Sequence, residues 1–307
     1  MTRHLLTGVY AAALTPLDHA SNLDAEAVAP YLAFLASRGC HGALLFGTTG
    51  EGPSFSPSER GAVWQTALRV REHFPNFRLL AGTGTPSLTE TIELTRAAFD
   101  LGYNGVVVLP PYYFRKATDE GLFNWFRELI QKAVPSDGYL FGYHFPTVAG
   151  IGFSLELLAR LKDTFPVQFA GIKDSSHDAD FARALGQKFG DDLAVFTGTD
   201  SDFTLALENH AAGCITAPAN LLSPELRQIY DAFVQKSDFS KKSDFSHAAQ
   251  ERVTHQRHLL EKYPPFPPTL KALVHKLHGL PRWKVRPPLV EMGEEEEEKL
   301  LRELRTA

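Results

Sequence analysis

The run Gly105–Tyr113, GVVVLPPYY, decides the fold. It opens on a glycine and three valines, and two prolines stop it. A continuous apolar, β-branched run of this kind, with no polar alternation, reads as a strand covered on both faces. Helical spacing lies on either side. Leu88, Ile92, Leu94 and Ala98 make one apolar face before it, and Leu122, Trp125, Phe126 and Ile130 make another after it.

The same unit recurs along the chain. Strand-like runs stand at Gly8–Leu17, His41–Thr49, Phe77–Gly84, Gly105–Tyr113, Gly138–Pro146, Phe169–Ser176, Leu193–Asp200 and Gly213–Asn220. Eight strand–helix units in succession are the count of a closed (β/α)8 TIM barrel. An open doubly wound sheet would carry a Gly-rich dinucleotide fingerprint after its first strand, and none is found there. Helix starts are marked locally. Ser56-Pro57-Ser58-Glu59 offers an N-cap, a proline at the first helical position and a capping box; Ser87 with Glu90 repeats the box, and Ser223-Pro224-Glu225 supplies another cap. Past Leu226 the strand pattern stops. Ile229–Val234, Leu259–Lys262, Thr269–His278 and Glu294–Arg305 read as helices. The fold class expected is therefore α/β, with a barrel over residues 1–225 and a C-terminal helical segment over 226–307. The duplication KSDFS, at Lys236–Ser240 and Lys242–Ser246, reads as a lengthened surface connection. The glutamates at 294–298, followed by Lys299, Arg302 and Arg305, complement the dipole of a final helix.

Composition narrows the function. The chain has 307 residues, 44% apolar and 22% charged, which is the make-up of a folded globule. Lys+Arg number 31 against 36 Asp+Glu, a net charge of −5, so no positive field calls for a nucleic acid. The longest apolar runs, such as Gly105–Pro110, are too short to cross a bilayer. Two cysteines, Cys40 and Cys214, build no disulfide framework and read as free thiols. The start MTRHLLTGVYAAALTP reads as a first core strand and not as a signal peptide, so a cytoplasmic protein is expected.

In such a barrel the chemistry sits at the C-terminal ends of the strands. Lys173 lies inside the apolar context FAGIK, where lysine is rarely placed for packing. An amine taken out of water at a barrel mouth is biased toward its neutral form, which can attack a ketone to give a Schiff base. The competing reading is a lysine paired with Asp174, but adjacent strand residues point to opposite faces. Tyr143 ends the neighbouring strand, close enough to shuttle protons for that chemistry. Gly47-Thr48-Thr49-Gly50 can turn amides and hydroxyls toward a small carboxylate.

These pieces together resemble the Schiff-base pyruvate lyases and aldolases that include dihydrodipicolinate synthase, N-acetylneuraminate lyase and 2-keto-3-deoxygluconate aldolase. The resemblance rests on GTTGE at 47–51, PPYY at 110–113, Tyr143 with Pro146, GIKDSS at 171–176 and GLPRWKVRPPL at 279–289, and it spans the chain. It implies that Lys173 carries the imine, that Tyr143 relays protons, and that Thr48 and Thr49 hold the pyruvate carboxylate. It implies further that Thr49 links Tyr143 to Tyr113, a residue often lent by a neighbouring subunit, and that Gly47, Gly198 and the Ile215 carbonyl line the pocket. A homo-oligomer, dimer or tetramer, and no metal or organic cofactor are implied as well. The partners are pyruvate or another 2-keto acid and a small aldehyde. Val148 stands where the synthases place an arginine for their second substrate, and valine donates neither charge nor hydrogen bond. Ser201 and Ala217 depart from the sialic-acid lyases. The segments YHFPTVAG and GIKDSS look closest to the 2-keto-3-deoxy sugar acid aldolases, in which Asp200, Ser175 and Thr199 would bond sugar hydroxyls. The activity expected is reversible cleavage of such an acid to pyruvate and an aldehyde. Dihydrodipicolinate synthesis or dehydration of a keto-deoxy acid are the alternatives.

Overall fold

The computed structural model describes residues 6–234 and 244–305. Eight parallel strands close a barrel in sequence order: β1 Gly8–Ala12, β2 Gly42–Leu45, β3 Arg78–Gly82, β4 Gly105–Val108, β5 Leu140–His144, β6 Phe169–Asp174, β7 Ala194–Thr197 and β8 Ala211–Thr216. Seven of the expected runs contain their strand, and the eighth overlaps β8, which starts two residues before it. The strands are shorter than the runs because the last residues of each run leave the sheet to form the mouth.

Helices α1 Ala25–Ser37, α2 Pro57–Ala67, α3 Leu88–Asp100 and α4 Asp119–Ala133 follow the first four strands. A single turn, α5 Pro146–Ala149, and α6 Leu155–Thr164 follow β5; α7 Ala179–Phe189 and α8 Phe203–Glu208 follow β6 and β7. The C-terminal part is α9 Ala219–Val234, α10 Asp244–Leu260, α11 Phe266–His278 and α12 Glu294–Arg305. The capping box before α2 forms in full, whereas before α3 Ser87 accepts from Glu90 N without a reciprocal bond to the cap backbone. α9 joins two helices across a kink at Leu222, where the backbone leaves helical geometry, and Ser223-Pro224 stand just past the kink, where the sequence places a helix start. The first copy of the KSDFS duplication and the start of the second lie outside the described residues, as do residues 1–5.

Two apolar layers hold the barrel. Outward side chains of the strands pack on the helices, and Tyr10, Leu80, Phe141, Ala194, Phe196 and Ile215 help to fill the interior. Phe196 meets Tyr10 and Phe141 edge to face, each at 5.5 Å between ring centroids. This plug closes the cylinder and leaves the strand ends as the place for a ligand. Cys40 and Cys214 are buried free thiols. Among the described residues no helix is long and apolar enough to cross a membrane.

Candidate active site

The local geometry at β6 is set by one extra residue. Leu140 pairs with Phe169 but Phe141 pairs with Gly171, so Ala170 is a bulge. Only glycine fits at 171, because a Cβ there would lie 1.9 Å from the Ala194 carbonyl oxygen. The shift aligns the strands beyond it: Tyr143 pairs with Lys173, and His144 with Asp174. Period-two alternation then sends the first pair inward and the second outward.

Lys173 is 3% exposed, with Nζ over the Tyr143 ring at 4.0 Å from its centroid. In register it also neighbours Phe196, part of the apolar plug. Among the described residues no carboxylate forms an ion pair with it. Asp174 is turned away and accepts from Ser176 N at 3.0 Å. Beside it His144 stacks on Phe181 at 4.5 Å and accepts from Phe153 N at 2.9 Å. Burial raises the Asp174 carboxyl and lowers the His144 imidazole from their usual ranges.

The threonine hydroxyl beside the phenol is that of Thr48, with Oγ1 3.4 Å from Tyr143 Oη. The reading that placed Thr49 there is corrected. The loop turns through left-handed residues at Phe46 and Glu51, both at φ 56°, which points Thr48 outward and buries Thr49. Tyr113 does not approach Tyr143 within this chain. It is 76% exposed and packs edge-on against Phe114 at 5.3 Å.

Asp200 is corrected too. Its side chain has no exposure, and Oδ1 accepts from Arg257 Nη1 of α10 at 2.6 Å. Burial still raises its carboxyl from the usual range. Its other oxygen, Oδ2, is buried and has no hydrogen-bond partner among the described residues. Ser175 and Gly198 touch one another, since a Cβ on Gly198 would fall 1.9 Å from Ser175 Oγ. Thr199 is buried, with its amide donating to Thr197 Oγ1. Ile215 lies wholly inside the barrel, in register with Tyr10.

Three features were not anticipated. A cleft lined by Gly47, Thr48, Tyr112 and Tyr143 also contains Arg60, a buried guanidinium that donates to the Gly52 carbonyl at 2.6 Å and forms no ion pair with a carboxylate among the described residues. Glu51, last residue of GTTGE, is buried in an ion pair with Lys271 at 2.6 Å. The stretch Arg282–Arg286 reaches back to that loop, Arg286 N donating to Glu51 Oε2 at 3.0 Å. Lys271 sits in TLKALV, the same pattern of a lysine among apolar residues that marks Lys173. Among the described residues no three His, Cys, Asp or Glu side chains gather as a metal ion would need.

Comparison with known proteins bears on this geometry. The model of the Dihydrodipicolinate synthetase family matches residues 5–307. The chain is 37% identical over 290 residues to a DapA-like lyase of Chloroflexus aurantiacus, covering 94% of this chain and 93% of that protein. It is 30% identical over 234 residues to N-acetylneuraminate lyase of Rattus norvegicus, covering 75% and 72%. The crystal structure of dihydrodipicolinate synthase from Agrobacterium tumefaciens superposes with a TM-score of 0.86 at 28% identity, covering 98% of this chain and 99% of that one.

Proposed function

The chain belongs to the dihydrodipicolinate synthetase family of carbon–carbon lyases, and on that premise we propose that it reversibly cleaves a 2-keto-3-deoxy sugar acid to pyruvate and an aldehyde through an imine on Lys173. One observation carries the reading: the β5–β6 register sets Tyr143 beside Lys173 on the inner face, with the amine in no ion pair among the described residues and 4.0 Å above the phenol ring.

The steps follow from that arrangement. The Lys173 nitrogen adds to the ketone carbon, and loss of water leaves an iminium. Tyr143 carries the protons of these steps, with the Thr48 hydroxyl beside its oxygen. For cleavage a base, here the Tyr143 oxygen, takes the proton of the C4 hydroxyl. The C3–C4 bond then breaks, its electrons pass to the iminium as an enamine, and the aldehyde leaves. Protonation of the enamine and hydrolysis return pyruvate and the free amine. The iminium is the electron sink, so these steps call on no metal or organic cofactor. Amides and hydroxyls of the 47–50 loop suit the substrate carboxylate.

The sugar-acid class rests on the likeness of YHFPTVAG and GIKDSS and on Val148, a half-exposed side chain that offers an aldehyde no charge. With Asp200 engaged by Arg257, Ser175 is the polar side chain best placed near Gly198 for a sugar hydroxyl. The exposed pair Tyr113 and Phe114 suits a neighbouring subunit in a homo-oligomer.

The test is release of pyruvate from a panel of 2-keto-3-deoxy sugar acids, followed by a coupled reductase. Turnover is expected, and Lys173→Ala is expected to abolish it. Tyr143→Phe is expected to lower kcat by roughly 10²–10⁴-fold. Rapid condensation of pyruvate with aspartate semialdehyde, and no cleavage of any sugar acid, would assign the chain to synthesis instead.

A further inference from the structure

We propose that Lys271, on the C-terminal helix α11, is a positioning residue that acts through Glu51 to hold the 47–50 loop in the shape that grips the substrate carboxylate. The proposal rests on the reading above that this loop binds the keto acid.

The loop has a conformation to defend. Phe46 and Glu51 bracket it, each in the left-handed region at φ 56°, and neither is glycine. Such residues cost about 1–3 kcal/mol each and persist only where the surroundings over-determine them. Part of that determination is local. Glu51 N donates to Thr48 O at 3.1 Å, Gly52 N to Gly47 O at 3.1 Å, and Thr15 Oγ1 to Gly50 O at 2.6 Å.

The remainder comes from far along the chain. Glu51 Oε1 accepts from Lys271 Nζ at 2.6 Å and Oε2 from Arg286 N at 3.0 Å. Lys271 Nζ also donates to the Lys284 carbonyl at 2.5 Å, so one ammonium ties α11, the 284–286 segment and the loop at a single point. The Arg286 guanidinium adds bonds to Ser54 O at 3.0 Å and to Glu59 at 2.6 Å. The side chains of Lys271 and Glu51 are 1% and 0% exposed.

A buried ion pair is a poor device for stability alone, because apolar side chains of similar volume often do as well or better. It is a good device for fixing one geometry, because each partner has few alternatives. The place fixed here is three residues from Thr48, whose hydroxyl is 3.4 Å from Tyr143 Oη. A loop released at Glu51 would lose its aim at a carboxylate while Lys173, on the other side of the barrel on β6, keeps its amine.

That difference gives the test. Wild type, Lys271→Met and Glu51→Gln are incubated with borohydride and graded concentrations of pyruvate or of methyl pyruvate, which keeps the ketone and lacks the charge. The adduct at Lys173 is quantified by mass spectrometry, and folding is checked by circular dichroism. For Lys271→Met the half-saturating pyruvate concentration should rise about tenfold or more, the scale of a small misplacement in a binding site. The value for methyl pyruvate and the maximal extent of trapping should hold. Glu51→Gln, a milder change that keeps the side-chain shape, should move in the same direction and serves alone if Lys271→Met does not fold. Equal losses for both ketones, or no change in a folded variant, overturn the proposal. An absent adduct in wild type overturns the parent reading and this one with it.

Discussion

Tyr143 Oη has the Thr48 hydroxyl in reach, and that contact separates two adjacent threonines. Thr48→Val should lower kcat for pyruvate release by about a hundredfold, the low end of what a proton relay contributes. Thr49→Val should instead act mainly on stability, as a substitution at a buried site. Steady-state kinetics beside urea melts would separate them, and the reverse order would return the relay to Thr49. No periodicity fixes which of two adjacent residues in such a turn faces out, so nothing local stood against the choice of Thr49. Lys173 was legible for the opposite reason: a strand has only two faces, and a lysine in FAGIK contradicts its neighbours. Asp200 misled because its position at a strand end says nothing of a helix that arrives 57 residues later to pair with it. A histidine far from the mouth gives a second residue-scale prediction. Burial first, then the Arg227 and Arg78 charges, hold the His41 imidazole down at about 4, against the partial opposing effect of Asp231. The unfolded chain takes up that proton near pH 6.5. Stability from neutral His41 is therefore complete above about pH 6.5 and is lost as pH falls toward 4. The urea midpoint should drop further between pH 7 and pH 5 in wild type than in His41→Asn. The raised Asp174 and Asp200 carboxyls act in the other sense but are common to both proteins and cancel. Equal drops would contradict the account.

At the scale of elements, the β6 bulge carries the most consequence. Without it, alternation from Phe169 would place Lys173 on the helix-facing side, where Ile172 and Phe169 pack among the outer core residues only because the count is broken at Ala170. Gly171→Ala must push a methyl into the Ala194 carbonyl, a clash expected to cost about 1–3 kcal/mol or more and to reduce imine formation at Lys173. Melting and borohydride trapping measured together would check it; a stable variant with full trapping would mean that the register does not depend on the glycine. The eight strands were readable because apolar β-branched runs leave a compositional trace. A bulge leaves none beyond one glycine, and it emerges only when neighbouring strands are aligned. Caps were readable in proportion to their chemistry: Ser56 with Glu59 closes a full box, while Ser87 and Glu90 make half of one.

At the scale of the molecule, the C-terminal helices are joined to the barrel mouth by two buried ion pairs, Glu51–Lys271 and Asp200–Arg257. Gln250 and Thr254 reinforce the second, bonding the carbonyl of Ser201 at 2.8 and 3.0 Å. Helical periodicity disclosed these helices, yet not their partners, since pairing across 57 or 220 residues has no local pattern. Arg257→Met strands the Asp200 carboxylate without a partner and should cost about 3–5 kcal/mol, whereas Asp200→Asn in the same chain should recover part of it. Denaturant melts of the single and double variants would show an unaltered loss if the pair were not coupled. In the proposed function, loop, strand register and clamp all serve one covalent event. Borohydride reduction of the wild-type protein in the presence of pyruvate, followed by peptide mass mapping, tests that event most directly. The account predicts a single reduced pyruvyl adduct on the peptide containing Lys173 and its disappearance in Lys173→Ala. No adduct, or one carried by another lysine, would contradict it.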